Sequence, residues 1–384
     1  MRVVIRYVLP IIVVAQFCCT SVWFAGNAVL DDLVRAFGLP ATALGHLTSV
    51  IQLGFICGTL FFALLAVADR YSPSRVFMVS ALAAAVCNLG ATWAGHTLAS
   101  LLGVRFLTGF FLAGIYPVGM KIAADYYEKG LGKSLGYLVG ALVMGTAFPH
   151  LLKGLGGQLP WRFIFYLTSV AAAGGATLVG LLVADGPYRK PAVQLRLGAI
   201  LEVFGPRDFR RAAFGYFGHM WELYTFWALL PLLVVVISDV HPEAAWSPSL
   251  VTFGVIAAGG VGCVLGGYVA ERYGSMGTAR AALLASGLCC LALPLALAWL
   301  PPGLFLAYLL GWGVVVAADS PQFSTLVAQR AEPSQKGSAL TLVNCLGFAI
   351  TIVSIQLLAG VDLRYVYPLL AVGPLLGVWA TRGG

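Results

Sequence analysis

Residues 65–75 read LAVADRYSPSR, and residues 267–274 read GYVAERYG. Each sits between two apolar runs. A bilayer-crossing helix needs about 20 apolar residues, and these runs are that long. The tetrads ADRY at 68–71 and AERY at 270–273 recur at an offset of 202. Two further pairs keep the same order. AGIYP at 113–117 matches AADSP at 317–321, and LVG at 138–140 matches LVN at 342–344, both at an offset of 204. Three short matches in one order at nearly one offset mark an internal repeat. Pro117 and Pro321 fall at matching repeat positions.

The composition around this repeat suits lipid rather than water. Hydrophobic residues make up 60% of the 384 and charged residues 10%, where a soluble domain carries roughly 25% charged residues. A soluble enzyme, a nucleic-acid-binding protein and a disordered scaffold are thereby excluded. Apolar stretches bounded by charge, Pro or Gly give twelve candidate spans: 7–30, 42–67, 75–94, 98–121, 134–156, 162–184, 212–237, 248–270, 280–300, 303–327, 337–359 and 365–381. A barrel would show short alternating segments instead. The expected fold class is an all-α membrane protein, with twelve transmembrane helices in two six-helix bundles. The bundles take 1–184 and 212–384, joined by a basic linker at 185–211 in which 195–204 reads as a surface helix. The small-residue stretch AAGGVGCVLGG at 257–267 allows close helix packing. The eight cysteines lie in apolar runs without metal-ligand spacing and read as small buried hydrophobes. The N-terminal run continues to about Val29, too long for a signal core, and reads as the first span.

Orientation follows from Lys and Arg. With the N-terminus in the cytoplasm, only Arg35, Lys153, Arg162 and Arg364 fall on the outer side, and Arg105 lies within a span. The other eighteen of the 23 basic residues face the cytoplasm. The net charge of +8 is therefore an orientation signal and not a nucleic-acid footprint. Trp93, Trp161, Trp246 and Trp299 fall at outer span ends, as an interfacial aromatic belt requires.

On these motifs the chain resembles the major facilitator superfamily over its whole length. That family's loop after its second span runs roughly G-x-L-A-D-R-x-G-R-R. Asp69, Arg70 and Arg75 match it, while Leu65 and Ser72 stand where the family usually has Gly. The second copy keeps both glycines, with Glu271 and Arg272, and RFLTG at 105–109 matches the family's Arg-x-x-x-Gly. The stretches WFAGNAVL (23–30), YPVGMK (116–121) and YFGHMWELY (216–224) resemble a bacterial branch labelled nitrate/nitrite or cyanate permease-like. The resemblance implies secondary transport of a small solute by alternating access between two bundles. It also implies a cytoplasmic gate latch of Asp69, Arg70, Arg75 and Asp125, mirrored by Glu271, Arg272 and Arg280. Asp125 is expected to meet Arg70 or Arg75. The plainer alternative is a set of loop charges that only fix orientation. Nitrate is not carried over, because resembling nitrate porters hold the ion with an Arg in spans two and eight. Here 42–67 and 248–270 contain no Arg.

An ionisable group at hydrocarbon depth costs at least ~2.5 kcal/mol on insertion scales, so each one is a candidate working group. The alternative for each is an ion pair that only locks helices. Arg105 lies about seven residues into span four, so ~10 Å deep at 1.5 Å per residue, with Asp31 as its expected partner. In span one, Gln16, Thr20, Trp23 and Asn27 share a face that must look at a cavity or another helix. His150 and Lys153 share a face near the outer end of span five. Lys121 stands near the inner end of span four, and Asn344 ends the LVN match in span eleven. His219 and Glu222 lie at i and i+3 in span seven. Asp319 in span ten is ~14 Å from the cytoplasmic end, at a similar depth.

The expected coupling ion is a proton, bound at the His219, Glu222 and Asp319 constellation. The expected cargo is a small anion or organic acid, because Arg105, His150 and Lys121 stand in the N-terminal bundle. Alternatives are drug or metabolite efflux by proton antiport, and a sensor that kept the fold. The chain contains no GxxxxGK[ST], HExxH, GxSxG or CxxCH. No enzyme activity, cofactor, metal or nucleic-acid partner is expected. The expected partners are the solute, protons and the lipid bilayer. The expected working form is a monomer in the cytoplasmic (inner) membrane, with both termini cytoplasmic.

Overall fold

The computed structural model describes residues 2–382 except 41, 128–130, 158, 190–201 and 333–335. The chain divides into two compact units, 1–196 and 197–384. The first contains α1 (Arg2–Thr20), α2 (Ala25–Ala28), α3 (Leu30–Phe37), α4 (Ala43–Leu64), α5 (Val67–Arg70), α6 (Pro73–Gly90), α7 (Leu98–Leu112), α8 (Tyr116–Tyr126), α9 (Leu131–Gly156) and α10 (Arg162–Leu182). The second contains α11 (Arg207–Val240), α12 (Pro248–Tyr273), α13 (Ser275–Trp299), α14 (Pro302–Ala318), α15 (Ser320–Arg330), α16 (Lys336–Leu358), α17 (Leu363–Leu370) and α18 (Val372–Thr381).

Among the described residues, ten stretches are long and apolar enough to cross a membrane. Two shorter apolar helices, Tyr7–Thr20 and Tyr365–Thr381, occupy the first and last of the twelve expected positions. The faces are sorted for lipid. Val86, Val170, Leu181 and Leu295 point outward, whereas Gln16, Asn88, Arg105, His219, Glu222 and Asp319 are buried. That is the arrangement a low-dielectric solvent imposes. Of the expected surface helix at 195–204, residues 195–201 lie outside the described residues, and 202–204 form one short 3-10 turn.

Four spans expected to be continuous are broken. Span one stops at Thr20 and resumes at Ala25. Span four breaks between Leu112 and Tyr116, and span ten at Asp319. Span twelve breaks at Ala371. The breaks in spans four and ten have a local cause. Pro117 and Pro321 each sit in the first turn of the helix that follows. Proline has no N–H to donate and is tolerated there but not in a helix interior.

The repeat is also visible as backbone contact. A Cβ added to Gly54, Gly58 or Gly109 would stand 2.0, 2.2 and 1.9 Å from the carbonyl oxygens of Phe106, Phe110 and Ile51. In the second unit, a Cβ on Gly262, Gly266 or Gly313 would stand 2.1, 2.6 and 2.1 Å from those of Val314, Ala318 and Val255. In each unit, then, the second span (α4 or α12) lies backbone to backbone against the fourth (α7 or α14). Only glycine permits that approach. Gly109→Ala should therefore lower the thermal melting temperature of the purified protein, at the about 1–3 kcal/mol typical of overpacking. Gly103→Ala, where the added Cβ meets open space, should leave it unchanged.

Candidate functional site

In the first unit the polar centre is organised by the break in span one. The turn at 21–24 leaves backbone carbonyls that the interrupted helix does not use. Arg105 on α7 answers them. Its Nη1 donates to Val22 O at 3.1 Å, and its Nη2 donates to Trp23 O. Nη1 also donates to Asn88 Oδ1 at 3.1 Å. Asn88 Nδ2 in turn donates to Thr168 Oγ1 at 3.0 Å and Ser169 Oγ at 2.9 Å. Thus one buried guanidinium joins α6, α7, α10 and the broken span one. The expected pairing of Arg105 with Asp31 does not form, because the fork of donors is taken by carbonyls and an amide. Asp31 is exposed on α3. Its neighbour Asp32 meets Arg35 at 2.9 Å and Lys153 at 2.5 Å, so Lys153 is ion-paired.

The polar face of span one divides along the same break. Thr20 caps back onto Gln16 O at 2.8 Å. Trp23 lies in the turn, its ring 5.0 Å from that of Phe55. Asn27 falls on α2 and donates to Thr48 Oγ1 at 2.7 Å. Both side-chain atoms of Gln16 and of Gln52, and His150 Nε2, are buried without a hydrogen-bond partner. The sequence marks Gln16 and His150 but not Gln52.

The motif loop after span two is built differently from the expectation. The loop turns at Ala66, whose φ of 47° places it in the left-handed region. Asp69 pairs with Lys121 at 3.0 Å, and Lys121 also reaches Asp125 at 3.4 Å. Asp125 meets neither Arg70 nor Arg75, which are both exposed. The cation between the two carboxylates is Lys121, one turn before Asp125 on α8. A second cation comes from beyond span six. Arg189 donates to Asp69 O and Tyr71 O, both at 2.7 Å, and pairs with Asp185 at 2.7 Å. Ser72 donates to Asp185 at 2.6 Å, and Tyr126 donates to Ala184 O at 2.8 Å. Tyr188 N donates to Asp125 O at 3.0 Å. A Cβ on Gly186 would stand 2.3 Å from that same oxygen. Residues 185–189, expected to be linker, together with Ala184 therefore form a strap over the motif loop. In the second unit Glu271 and Arg272 are exposed, and Arg272 stacks on Tyr273. Arg280 donates to Thr381 O at the end of α18.

The second unit holds the carboxylates. His219 Nδ1 lies 2.8 Å from Asp319 Oδ1, both side chains being 1% exposed. Asp319 is at the N-cap position of α15, where the helix dipole favours an anion. Glu222, one turn on from His219, does not join this pair. Its Oε1 accepts from Trp312 Nε1 at 2.8 Å and from Cys290 Sγ at 3.2 Å. Its Oε2 lies 2.8 Å from Ser286 Oγ. Aromatic rings close the site, with Phe226 stacked on Trp312 at 4.4 Å and Tyr367 edge-on to Trp312 at 5.7 Å. Asn344 is engaged by Tyr216 Oη at 2.9 Å, and the Tyr216 ring lies 6.0 Å from that of His219. Sequence reasoning missed Asn88, Ser286, Cys290 and Trp312. The available signal was a polar or indole group in the middle of an apolar span.

Two units of apolar helices with paired glycine seams, and polar groups turned inward, define a repeat-built polytopic membrane protein. The chain belongs to the Major Facilitator Superfamily, whose family model matches residues 12–355. It is 28% identical over 208 residues to the putative uncharacterized transporter YgaY of Escherichia coli, covering 51% of this chain and 50% of that protein. The chain thus spans about half the length of the curated relatives it matches. The fold is similar to that of the human organic anion transporter MFSD10, with a TM-score of 0.73 at 16% identity, covering 98% of this chain and 99% of that one. It is also similar to the proton:xylose symporter XylE, with a TM-score of 0.77 at 13% identity, covering 98% and 94%.

Arg105→Lys should lower stability by about 2 kcal/mol. One ammonium cannot reach both carbonyls and Asn88 from a single position, and hydrogen bonds to charged groups contribute about 1.5–3 kcal/mol each. A thermal melt of the purified variant checks this. Asp185→Ala should loosen the strap, leaving Arg189 only the carbonyls of Asp69 and Tyr71. Limited tryptic cleavage after Arg189, followed by mass spectrometry, should then run faster than in the native chain.

Proposed function

We propose that this chain is a secondary transporter that couples the movement of a small polar solute to a proton by alternating access. The observation that carries this reading is Glu222. It is a carboxylate 1% exposed, in the middle of an apolar span, whose three partners are neutral donors. A lone anion at hydrocarbon depth is costly. With no cation beside it among the described residues, Glu222 can gain and lose a proton without breaking an ion pair. Asp319 is already paired with His219, so we assign proton carriage to Glu222 and read His219–Asp319 as the link across the break in span ten. Family membership, a relative named as a transporter and the fold likeness to a proton:xylose symporter support transport rather than catalysis.

Arg105, Lys121 and Lys153 are all held by partners inside the first unit. Among the buried groups left without partners are the amides of Gln16 and Gln52 and Nε2 of His150. We therefore place solute recognition on hydrogen bonds from these groups, with small organic acids as the first class to test. The likeness to nitrate/nitrite or cyanate permeases is carried no further, since spans two and eight hold no Arg. The proposed working form is a monomer in the cytoplasmic membrane. Its bundles are 1–184 and 212–384, both termini are cytoplasmic, and the motif around Asp69 and Glu271 guards that face.

The test is flux in proteoliposomes, with a panel of organic acids, sugars, amino acids and cationic drugs. For the solute that moves, Glu222→Gln should abolish accumulation driven by a pH gradient and leave solute-for-solute exchange intact. Unchanged accumulation in that variant would remove Glu222 from the mechanism. No flux of any solute by the native protein would favour a sensor on the same fold.

A further inference from the structure

We propose that Ser286 is the positioning residue that lets Glu222 take its proton on one oxygen, Oε2, and release it without moving a heavy atom. The proposal rests on the reading of Glu222 as the proton carrier and deepens it. The two carboxyl oxygens have different partners. Oε1 lies 2.8 Å from Trp312 Nε1 and 3.2 Å from Cys290 Sγ. An indole nitrogen only donates. With the thiol also donating, Oε1 is an acceptor in either protonation state. Among the described residues, Oε2 has one partner, Ser286 Oγ at 2.8 Å. A hydroxyl carries one proton and two lone pairs, so it can donate or accept.

Ser286 has a second place for its proton. Its Oγ also lies 3.2 Å from Leu283 O, one turn back on α13. Two arrangements therefore fit the same heavy-atom positions. With Glu222 ionised, Ser286 donates to Oε2. When a proton arrives, an O–H bond forms at Oε2 and donates to Ser286 Oγ. The serine hydroxyl turns about its Cβ–Oγ bond and donates to Leu283 O. Release runs the same steps backward: the Oε2–H bond breaks, the proton leaves, and the hydroxyl turns back. One proton enters and one leaves, and each hydrogen atom keeps a partner throughout.

Cys290, a weak donor and weak acceptor, faces Oε1, so among the described residues Ser286 is the group that offers this exchange at Oε2. The titratable groups facing Glu222 are Cys289 and Cys290 on α13, Tyr308 on α14 and Asp319 at the span-ten break. Tyr367 on α17 completes the ring around Trp312. Among the described residues, the cationic candidate nearby, His219 on α11, is held by Asp319. Tyr308 donates to Cys289 O instead, at 2.5 Å. Among the described residues, Ser286 is the hydroxyl on the carboxylate.

The experiment is infrared difference spectroscopy of the full chain in lipid, between acid and alkaline buffer. The native protein should show a protonated-carboxyl C=O band that Glu222→Gln removes. Ser286→Ala should move that band to higher frequency, because the acid O–H loses its acceptor. Ser286→Thr, which restores a hydroxyl, should return it. If the alanine variant does not fold, Ser286→Cys supplies a weaker acceptor of similar size, and a smaller upward shift is expected. A Glu222-dependent band that neither the alanine nor the cysteine variant moves would overturn the role of Ser286 while leaving the proton reading in place. No Glu222-dependent band at any pH would overturn the proton reading itself, and this proposal with it.

Discussion

The constraint on which this structure depends is that hydrocarbon offers the backbone no hydrogen bonds. Every N–H and C=O at membrane depth must find its partner inside the protein. An unbroken helix meets the demand by itself. A broken one does not, and this chain breaks four of its twelve spans. The arrangement around Arg105 follows directly. A buried cation without a carboxylate looks like an error until its partners are seen to be Val22 O and Trp23 O, carbonyls of the break in span one. The guanidinium suits that task, because its planar fork carries several donors at once.

The two units share a scaffold and differ in chemistry. The scaffold is steric: Gly54, Gly58 and Gly109 in one unit, and Gly262, Gly266 and Gly313 in the other, bring backbones together along the same seam. The buried charge is opposite. The first unit centres on a guanidinium whose partners are carbonyls and an amide. The second centres on a carboxylate whose partners are an indole, a thiol and a hydroxyl. Each charge is answered by dipoles rather than by a counter-ion. A repeat can keep its packing while its polar centres diverge, because the seam depends on the missing side chain of glycine and the centres depend on which donors face inward.

The strap at 184–189 gives the motif loop after span two a role within one unit. Asp69 is held through its side chain by Lys121 and through its backbone by Arg189. Any change in the motif loop is thereby coupled to the segment that leaves span six. Gly186 allows this, since the chain passes against Asp125 O too closely for a side chain.

Fold class, span positions and the repeat were legible in the sequence because all three are periodic or compositional. Apolar run length, charge placement and short recurring tetrads need no neighbour to be read. The candidate residues were legible for a related reason: Arg105, His219, Glu222 and Asp319 stand out against apolar runs whatever they touch. Their partners were not legible. Asp31 lies closer in sequence to the break that Arg105 answers than Asn88 does, yet Asn88 takes the bond. His219 and Glu222 share a helical face, yet one turns to Asp319 and the other to Ser286, Cys290 and Trp312. The sequence determined which groups must be satisfied within the membrane. Only the tertiary structure decided by what, because a hydrogen bond depends on angstroms between helices that lie far apart along the chain.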